Sequence, residues 1–360
     1  MTAAPATIDE LCKVVASSTP GAMRIAGAGT KRRGAGDDGV AVLELRQLTG
    51  IVSYTPAECV LTARAGTPVA AIEAALAEHA QYLPFDPTHV RAGSTLGGTV
   101  AAGLNGAGRY RYGGVRDFVI GARVVDGYGR LIASGGQVVK NAAGFLTHHA
   151  LVGSAGTLGA IAEVTIKVFP RPEARATLSA PCPSFAGALA AHERLRAVPM
   201  DVAALDIALD ATGAAATVWV RLAGAAEALP ARIARAQHLL ESVVEVQTGD
   251  DDARVWSEAA ELTWTSAAAA LVKVPTTPGR VADVVRALSP LGICRVQCGG
   301  AVTVLATSQP LAAVDAVLTA HGWRGVAVCG PASGRRLGPA TSDGFGDRVR
   351  RALDPDRRFR

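Results

Sequence analysis

The sequence predicts an α+β fold with two domains. Its 360 residues, 49% hydrophobic and 19% charged, are enough to build two separate cores. The first third alternates short apolar runs with helical patterns, and glycines then concentrate between residues 84 and 114. The alanine-rich second half alternates helices with strands typical of an antiparallel sheet. This composition excludes extensive disorder and a collagen-like fibre.

Helices and strands alternate through the first 80 residues. Thr7 and Glu10 form a capping box that predicts a helix extending to about residue 18. Thr67 as the N-cap and Pro68 at the first helical position predict a second helix, ending near residue 79. The apolar runs of this segment predict strands at 22–26, 40–45 and 60–65.

The rest of the first half predicts a hairpin and a long strand. The hairpin joins strands 119–125 and 131–134 through Asp126-Gly127, and a strand over 160–169 ends before Pro170 and Pro172. This end sets the boundary of a first domain at residues 1–172. A second domain at 173–335 follows, and a C-terminal segment at 336–360 carries a helix that returns to the first domain.

The second domain is predicted to be a two-layer arrangement of helices on an antiparallel sheet. The predicted helices are 184–197, 226–243, 280–289 and 311–321, and the predicted strands are 215–222, 268–274, 293–298 and 302–307.

Charge and cysteine content exclude several classes of function. The net charge is +5, and the last 26 residues contribute +4 from eight Arg and four Asp, so nucleic acid is not an expected partner. The six cysteines form no iron–sulfur or metal-binding motif and are predicted to be free thiols. No signal pattern and no apolar run of about 18 residues occur. We therefore expect a cytoplasmic protein with no transmembrane segment.

The first glycine-rich segment, residues 27–36, follows the predicted strand 22–26. A dinucleotide-binding fingerprint would need a third glycine where Arg32 stands, and a P-loop would need the reverse order of Thr30 and Lys31. What remains is a run of small residues with exposed backbone N–H groups, which suits a pyrophosphate. An ordinary glycine-rich turn is equally compatible with this segment alone.

Two further segments combine glycine with small hydroxyl residues. They are Gly93-Ser-Thr-Leu-Gly-Gly98 with its continuation to Gly103, and Gly153-Ser-Ala-Gly-Thr-Leu-Gly159. Glycine lets a ligand approach the main chain, and hydroxyl groups add hydrogen bonds. Three such segments within about 135 residues predict one extended ligand that carries a diphosphate.

Longer strings resemble the FAD-binding domains of the vanillyl-alcohol-oxidase (PCMH-type) family. The strings are Asp86-Pro-Thr-His-Val-Arg-Ala-Gly-Ser-Thr-Leu-Gly-Gly-Thr-Val-Ala-Ala-Gly103, Tyr112-Gly-Gly-Val-Arg-Asp-Phe-Val-Ile-Gly121, Lys140-Asn-Ala-Ala-Gly144 and Leu151-Val-Gly-Ser-Ala-Gly-Thr-Leu-Gly-Ala-Ile-Ala-Glu-Val-Thr-Ile-Lys167. Within that family they are most similar to the FAD-binding E subunits of glycolate oxidases. The resemblance covers about residues 20–170, whereas residues 173–335 match no motif.

The resemblance implies a PCMH-type FAD-binding domain of two α+β subdomains, joined to an α+β two-layer cap. It further implies non-covalent FAD, since residues 27–36 contain no histidine that could tether it. The residues that would contact FAD are Gly27, Ala28, Gly29, Thr30, Lys31, Asp86, Gly93, Thr95, Gly97, Gly98, Gly103, Tyr112, Gly113, Gly159 and Ile161.

The implied function is that of an FAD-binding subunit of a glycolate oxidase complex. Glycolate would be oxidised to glyoxylate, and the implied partners are a second flavoprotein subunit and an iron–sulfur subunit. Attachment to the inner face of the membrane through the complex is an alternative to a free cytoplasmic location. A self-sufficient FAD-dependent 2-hydroxyacid dehydrogenase and a non-catalytic scaffold subunit are the other two hypotheses.

Departures from the family pattern bear on these alternatives. Relatives carry Gly-Tyr-Asp-Leu where this chain has Gly144-Phe-Leu-Thr147, and the predicted cap lacks the histidine cluster of stand-alone dehydrogenases. Both differences favour a role within a complex. His148 and His149 are expected to be structural or to face solvent. Lys140 is either an ion-pair partner or close to the flavin.

The candidate catalytic residues are Arg109 and Arg111. Oxidation of a 2-hydroxy acid requires a cation that holds the substrate carboxylate while hydride leaves the adjacent carbon. Alternatively, Arg109 and Arg111 lie on the surface or neutralise a phosphate.

Overall fold

The computed structural model describes residues 2–21, 23–31, 39–136, 147–265, 268–330, 332–340 and 344–359. The 140–144 motif, with Lys140, and the altered positions Phe145 and Leu146 lie outside these residues. Within the described ranges the α-helices are α1 (Ile8–Ala16), α2 (Val69–Ala77), α3 (Leu96–Ala102), α4 (Arg109–Tyr112), α5 (Val115–Phe118), α6 (His148–Leu151), α7 (Phe185–Ala197), α8 (Leu229–Leu240), α9 (Asp250–Ala260), α10 (Val281–Leu288), α11 (Leu311–Ala320) and α12 (Gly344–Leu353).

The strands found among the described residues form four sheets. In chain order they are β1 (Thr2–Ala3), β2 (Met23–Ala26), β3 (Ala41–Glu44), β4 (Ile51–Thr55), β5 (Val60–Arg64), β6 (Gln81–Tyr82), β7 (Val119–Val125), β8 (Leu131–Gly135), β9 (Ala160–Lys167), β10 (Phe169–Pro170), β11 (Ala174–Cys182), β12 (Val202–Leu209), β13 (Ala216–Gly224), β14 (Glu245–Thr248), β15 (Ala270–Pro275), β16 (Ile293–Gln297), β17 (Val302–Thr307), β18 (Gly325–Cys329) and β19 (Arg336–Leu337).

The chain divides into two compact units. Met1–Leu104, Gly114–Arg171 and Thr341–Arg360 form the first unit, and Asn105–Gly113 with Pro172–Ala340 form the second. The short segment Asn105–Gly113 therefore groups with the second unit, although both of its flanks belong to the first.

The first unit contains three of the sheets. A parallel sheet has the order β1-β3-β2, an antiparallel sheet has the order β4-β5-β9-β7-β8, and β6 pairs with β10. The C-terminal residues complete the core of this unit, where Phe359 is fully buried beside Leu11 and Leu43. The Asp354 carboxylate fixes this end by accepting hydrogen bonds from the backbone N–H groups of Arg358 and Phe359.

The second unit is built on a nine-stranded antiparallel sheet, with most of its described helices on one face and α9 on the other. The strand order is β14-β11-β13-β12-β16-β17-β15-β18-β19. Apolar side chains of α7, α8, α10 and α11 pack on one face of the sheet, where Leu195, Leu240, Leu288 and Leu318 are buried. The predicted α+β fold, with helices packed on an antiparallel sheet in the second domain, is confirmed.

The element predictions succeed where hydrophobic patterns are clear. The 119–135 hairpin is confirmed, and the Asp126 carboxylate accepts from the N–H groups of Tyr128 and Arg130 in its turn. One prediction is wrong: Pro68 is the N-cap of α2, and the Thr67 hydroxyl instead exchanges hydrogen bonds with the N–H and C=O of Gly50. In the first unit the sequence did not predict β1, β4, β6, β10, α3, α5 or α6, and in the second unit it did not predict α4, β11, β12, β14, α9, β18 or β19.

Candidate functional site

The first glycine segment presents unbonded backbone donors. Residues 27–30 follow β2 directly, and within the described part of the chain none of their N–H groups donates a hydrogen bond. Gly29 has a φ of +71°, a left-handed conformation that glycine adopts without strain. Successive free N–H groups in such a turn form an anion-binding concavity. Lys31, which follows them, adds a positive charge.

The second glycine segment meets the first at Gly27 and Thr95. A Cβ atom on Gly27 would overlap the Thr95 hydroxyl oxygen, so only glycine allows this close approach. The same hydroxyl is the N-cap of α3 and accepts a hydrogen bond from Gly98 N–H at 3.2 Å. Thr95 therefore fixes the start of α3 directly beside the first segment.

Gly97 holds α3 against the neighbouring sheet. A Cβ on Gly97 would lie 2.6 Å from the Cβ of Ala65, and the Gly97 N–H donates to the Ala65 carbonyl at 2.8 Å. Adjacent hydrogen bonds run from Leu96 N–H to Thr67 O and from Val69 N–H to Ser94 O. The second segment thus has a fixed position on the end of β5.

The third glycine segment packs on the far end of α3. Gly153 N–H donates to Val100 O at 3.1 Å, and a Cβ on Gly103 would lie 3.0 Å from the Gly153 backbone. A Cβ added to Gly156 would lie 3.3 Å from the Cβ of Ile25 in β2. The described residues of all three segments therefore lie close together within the first unit. That they bind one extended ligand stays a prediction.

Buried hydroxyl groups in this region lack partners. The side-chain oxygens of Thr88, Ser94 and Thr99 are buried and form no hydrogen bond to any described residue. Buried polar groups are rarely left unsatisfied, because each costs about 1–3 kcal/mol. Together with the free N–H groups of residues 27–30, they fit a ligand with many polar atoms, as FAD has. Sequence analysis did not single out these hydroxyls, although two of them lie inside the glycine string.

The other residues predicted in the first unit are dispersed around this region. Asp86 has a φ of +47° and Gly93 a φ of +85°, so both lie in turns before α3. Gly159 directly precedes β9, and a Cβ on it would lie 2.7 Å from Cγ2 of Val124. Ile161 belongs to β9 and pairs with Val124 of β7.

The two adjacent histidines have structural partners. His148 is buried, its Nδ1 lies 3.1 Å from the Ser134 hydroxyl, and burial lowers its pKa. His149 Nε2 lies 3.3 Å from the carbonyl of Val119. Both contacts attach α6 to the β7–β8 hairpin, in agreement with the structural role expected from the sequence.

The remaining candidates, Arg109, Arg111, Tyr112 and Gly113, lie on and after α4 in the second unit. Arg111 forms a bidentate ion pair with Asp201, and this hydrogen bond lowers the pKa of the Asp201 carboxyl. Arg109 has no carboxylate partner among the described residues. Of the two predicted arginines, Arg109 is thus the one whose guanidinium group is available to an anion. Asp201 was not predicted from the sequence.

The described residues contain neither a candidate metal centre nor a helix that could span a membrane. They contain no group of three or more His, Cys, Asp or Glu arranged to hold a metal ion. None of the helices described is long and apolar enough to cross a membrane.

Comparisons with known proteins agree with the geometry of the first unit. Residues 1–135 match the family described as FAD binding domain. The chain is 48% identical over 136 residues to glycolate oxidase subunit GlcE of Escherichia coli (strain K12), covering 38% of this chain and 39% of that protein. It is 30% identical over 187 residues to D-2-hydroxyglutarate dehydrogenase of Xanthomonas citri pv. viticola, and this match covers 51% of this chain and 39% of that protein. These matches span about two fifths of each relative's length.

A solved structure extends the similarity of fold beyond the first unit. Alkyldihydroxyacetonephosphate synthase aligns with a TM-score of 0.70 at 14% identity, covering 99% of this chain and 75% of that one. At this identity the match shows the fold alone. The resemblance predicted from the glycine-rich strings is confirmed for the N-terminal region, which is an FAD-binding domain of the kind found in FAD-linked oxidoreductases.

Proposed function

We propose that this chain, whose N-terminal region is an FAD-binding domain, is the FAD-binding subunit of a complex that oxidises glycolate to glyoxylate. The observation that carries the proposal is the convergence of the three glycine segments, joined at Gly27 and Thr95 and again at Gly103 and Gly153. The 48% identity to a glycolate oxidase subunit supports the choice of substrate.

Different segments of the first unit would bind different parts of FAD. The free N–H groups of residues 27–30 would hold the diphosphate, with Lys31 neutralising part of its charge. The segment from Thr95 to Gly103 would lie along the flavin and its ribityl chain, where the unsatisfied hydroxyls can donate and accept. Bound FAD supplies a two-electron acceptor for the oxidation of a CH–OH group.

Arg109 is the residue that we propose to bind the carboxylate of the substrate. A guanidinium group binds a carboxylate in a fixed orientation, which positions the neighbouring CH–OH group for oxidation. Arg109 is available for this role, whereas Arg111 is held by Asp201. Electrons would then pass to partner subunits, for which we propose a second flavoprotein and an iron–sulfur protein.

Reconstitution tests this function. The chain is purified alone, loaded with FAD and mixed with glycolate, and the flavin absorbance near 450 nm is followed with and without the proposed partners. Oxidation of glycolate that requires both the chain's FAD and the partners supports the proposal. Unchanged oxidation by a complex whose chain cannot bind FAD would instead support a scaffold role.

A self-sufficient 2-hydroxyacid dehydrogenase is the second candidate. The match to a D-2-hydroxyglutarate dehydrogenase, which extends over half of the chain, favours it. Rapid bleaching of the flavin by a 2-hydroxy acid in the absence of any partner would establish this function and exclude the first.

A further inference from the structure

We propose that the edge strand β14 binds an extended, basic segment of a partner protein. This surface belongs to the second unit and takes no part in the proposed binding of FAD or glycolate. The segment would add one more strand to the nine-stranded sheet and continue its backbone hydrogen bonds. Open sheet edges recognise peptides in this way, with main-chain bonds giving affinity and alternate side chains giving specificity.

The backbone of β14 is open along one side. Among the strands described, β14 pairs only with β11, in an unbroken antiparallel register, and three of its four residues are exposed. Proteins commonly protect such an edge with lysine, proline or a bulge, and β14 has none of these. In contrast, the edge strand β4 of the first unit has a register shift between Ile51 and Ser53. The edge of β14 is therefore able to accept another strand.

Apolar side chains are exposed at this edge. Val246 lies directly opposite Leu178 of the buried core, so both are on the face of the sheet that carries α7 and α8, yet Val246 is 37% exposed. Val243, which precedes the strand, is 91% exposed. A strand added beside β14 would cover Val246 and extend the apolar layer under the helices. On this face the incoming strand should therefore carry apolar side chains.

The other face of the edge is acidic. Glu245 precedes Val246 in the strand, so the alternation of side chains directs it to the opposite face, the one that carries α9. Residues 241–252 include five acidic residues and no Lys or Arg. Three of the five pair with arginines, whereas Glu245 and Asp250 have no basic partner among the described residues. On this face the incoming strand should therefore carry Lys or Arg.

A second copy of this chain fits the edge poorly. Pairing of β14 with the β14 of another copy would bring two acidic edges together, and like charges on neighbouring strands are destabilising. The far edge of the same sheet is basic, with Arg335 and Arg336 exposed, but its strand β19 has only two residues against the four of β14. We therefore expect a different chain, in which apolar and basic residues alternate.

The test measures binding of a short fluorescent peptide of alternating lysine and valine to the purified chain by fluorescence anisotropy. We expect Val246→Lys and Glu245→Lys each to weaken binding at least about tenfold. Val52→Lys is the matched control, because Val52 is an exposed valine in the edge strand β4, and it should leave the affinity unchanged. The same peptide methylated at every backbone nitrogen keeps its charges but cannot donate to the edge, so it should bind at least about tenfold more weakly.

Four results would overturn this docking edge. They are no binding of the peptide at millimolar concentration, unchanged binding in both β14 variants, equal loss in Val52→Lys, and equal affinity for the methylated peptide, which would mean attraction by charge alone. A dimer of the wild-type chain in analytical ultracentrifugation that Val246→Lys dissociates would assign the edge to a second copy instead. Thermal unfolding checks that the variants are folded. Peptide binding by a chain that takes no part in glycolate oxidation would sustain the edge while rejecting the proposed function.

Discussion

Gly27 and Thr95 approach each other so closely that a Cβ atom on the glycine would overlap the threonine hydroxyl. The two residues are far apart in the sequence, and each belongs to a different glycine-rich segment. The same hydroxyl caps α3, so the contact joins the free N–H groups of the first segment to the start of that helix. The geometry of the FAD-binding region therefore depends on the absence of a side chain at residue 27.

Substitution of Gly27 is expected to abolish tight FAD binding. Gly27→Val must displace Thr95 or the first segment, and we predict an affinity for FAD at least about tenfold lower. Gly279→Val is the matched control, because Gly279 has open space around it and belongs to the second unit. Fluorescence quenching of added FAD measures both. Equal affinities in the two variants would contradict the assigned contact.

The Thr95 hydroxyl should contribute to both stability and FAD binding. Thr95→Ala removes the N-cap of α3, which costs about 1 kcal/mol, and we expect FAD affinity to fall with it. Ser184→Ala removes the equivalent cap of α7, where the serine accepts from Gly187 N–H at 3.1 Å. Urea unfolding should show similar losses in the two variants. An FAD affinity lowered equally by Ser184→Ala would mean that Thr95 acts through stability alone.

Arg111 and Asp201 are expected to behave as a structural pair. Their side chains are 35% and 65% exposed, and exposed ion pairs contribute about 0.2–1 kcal/mol. We predict that Arg111→Gln and Asp201→Asn lower the free energy of unfolding by similar amounts and that the double variant loses little more. In the assembled complex, Arg109→Gln should raise KM for glycolate more than Arg111→Gln does. The reverse order would reassign the substrate cation.

Much of the fold was predictable, and the failures have physical causes. The glycine segments, the β7–β8 hairpin and the helices of the second unit follow from turn residues and hydrophobic periodicity. The strand β12 was missed because nearly all of its residues are buried, so it shows no alternation of apolar and polar side chains. Thr67 was wrongly predicted to be the N-cap of α2. Its hydroxyl is hydrogen-bonded to Gly50, a residue outside the helix, instead of to the first N–H groups of α2.

The candidate site was predictable only in part. Glycine-rich strings indicate where a backbone can approach a ligand, and this predicted the convergence in the first unit. No sequence pattern shows that Arg111 is held by Asp201, because the partners are 90 residues apart and meet only in the folded unit.

His192 should make the stability of the protein depend on pH. Its ring is fully buried on α7, neither nitrogen has a partner among the described residues, and burial, assisted by Arg196, lowers its pKa to about 4. In the unfolded chain the pKa of His192 is near 6.5. Between pH 6.5 and about 4 the imidazole is therefore protonated in the unfolded chain and neutral in the folded protein. Stability should therefore fall as pH drops from about 6.5 to about 4, by about 3 kcal/mol from this residue.

His192→Leu isolates this contribution from other titrating groups. The free energy of unfolding, measured in urea at pH 7.5 and at pH 5, should fall less in His192→Leu than in the wild-type chain. An identical fall in both would show that His192 is protonated or hydrogen-bonded in the folded protein.

Equilibrium binding of FAD to the purified chain shows whether the three glycine segments form an FAD site. We predict one FAD per chain, released by denaturation because it is not covalently attached, and lost in Gly27→Val but kept in Gly279→Val. A wild-type chain that remains colourless and leaves the spectrum of added FAD unchanged would contradict it.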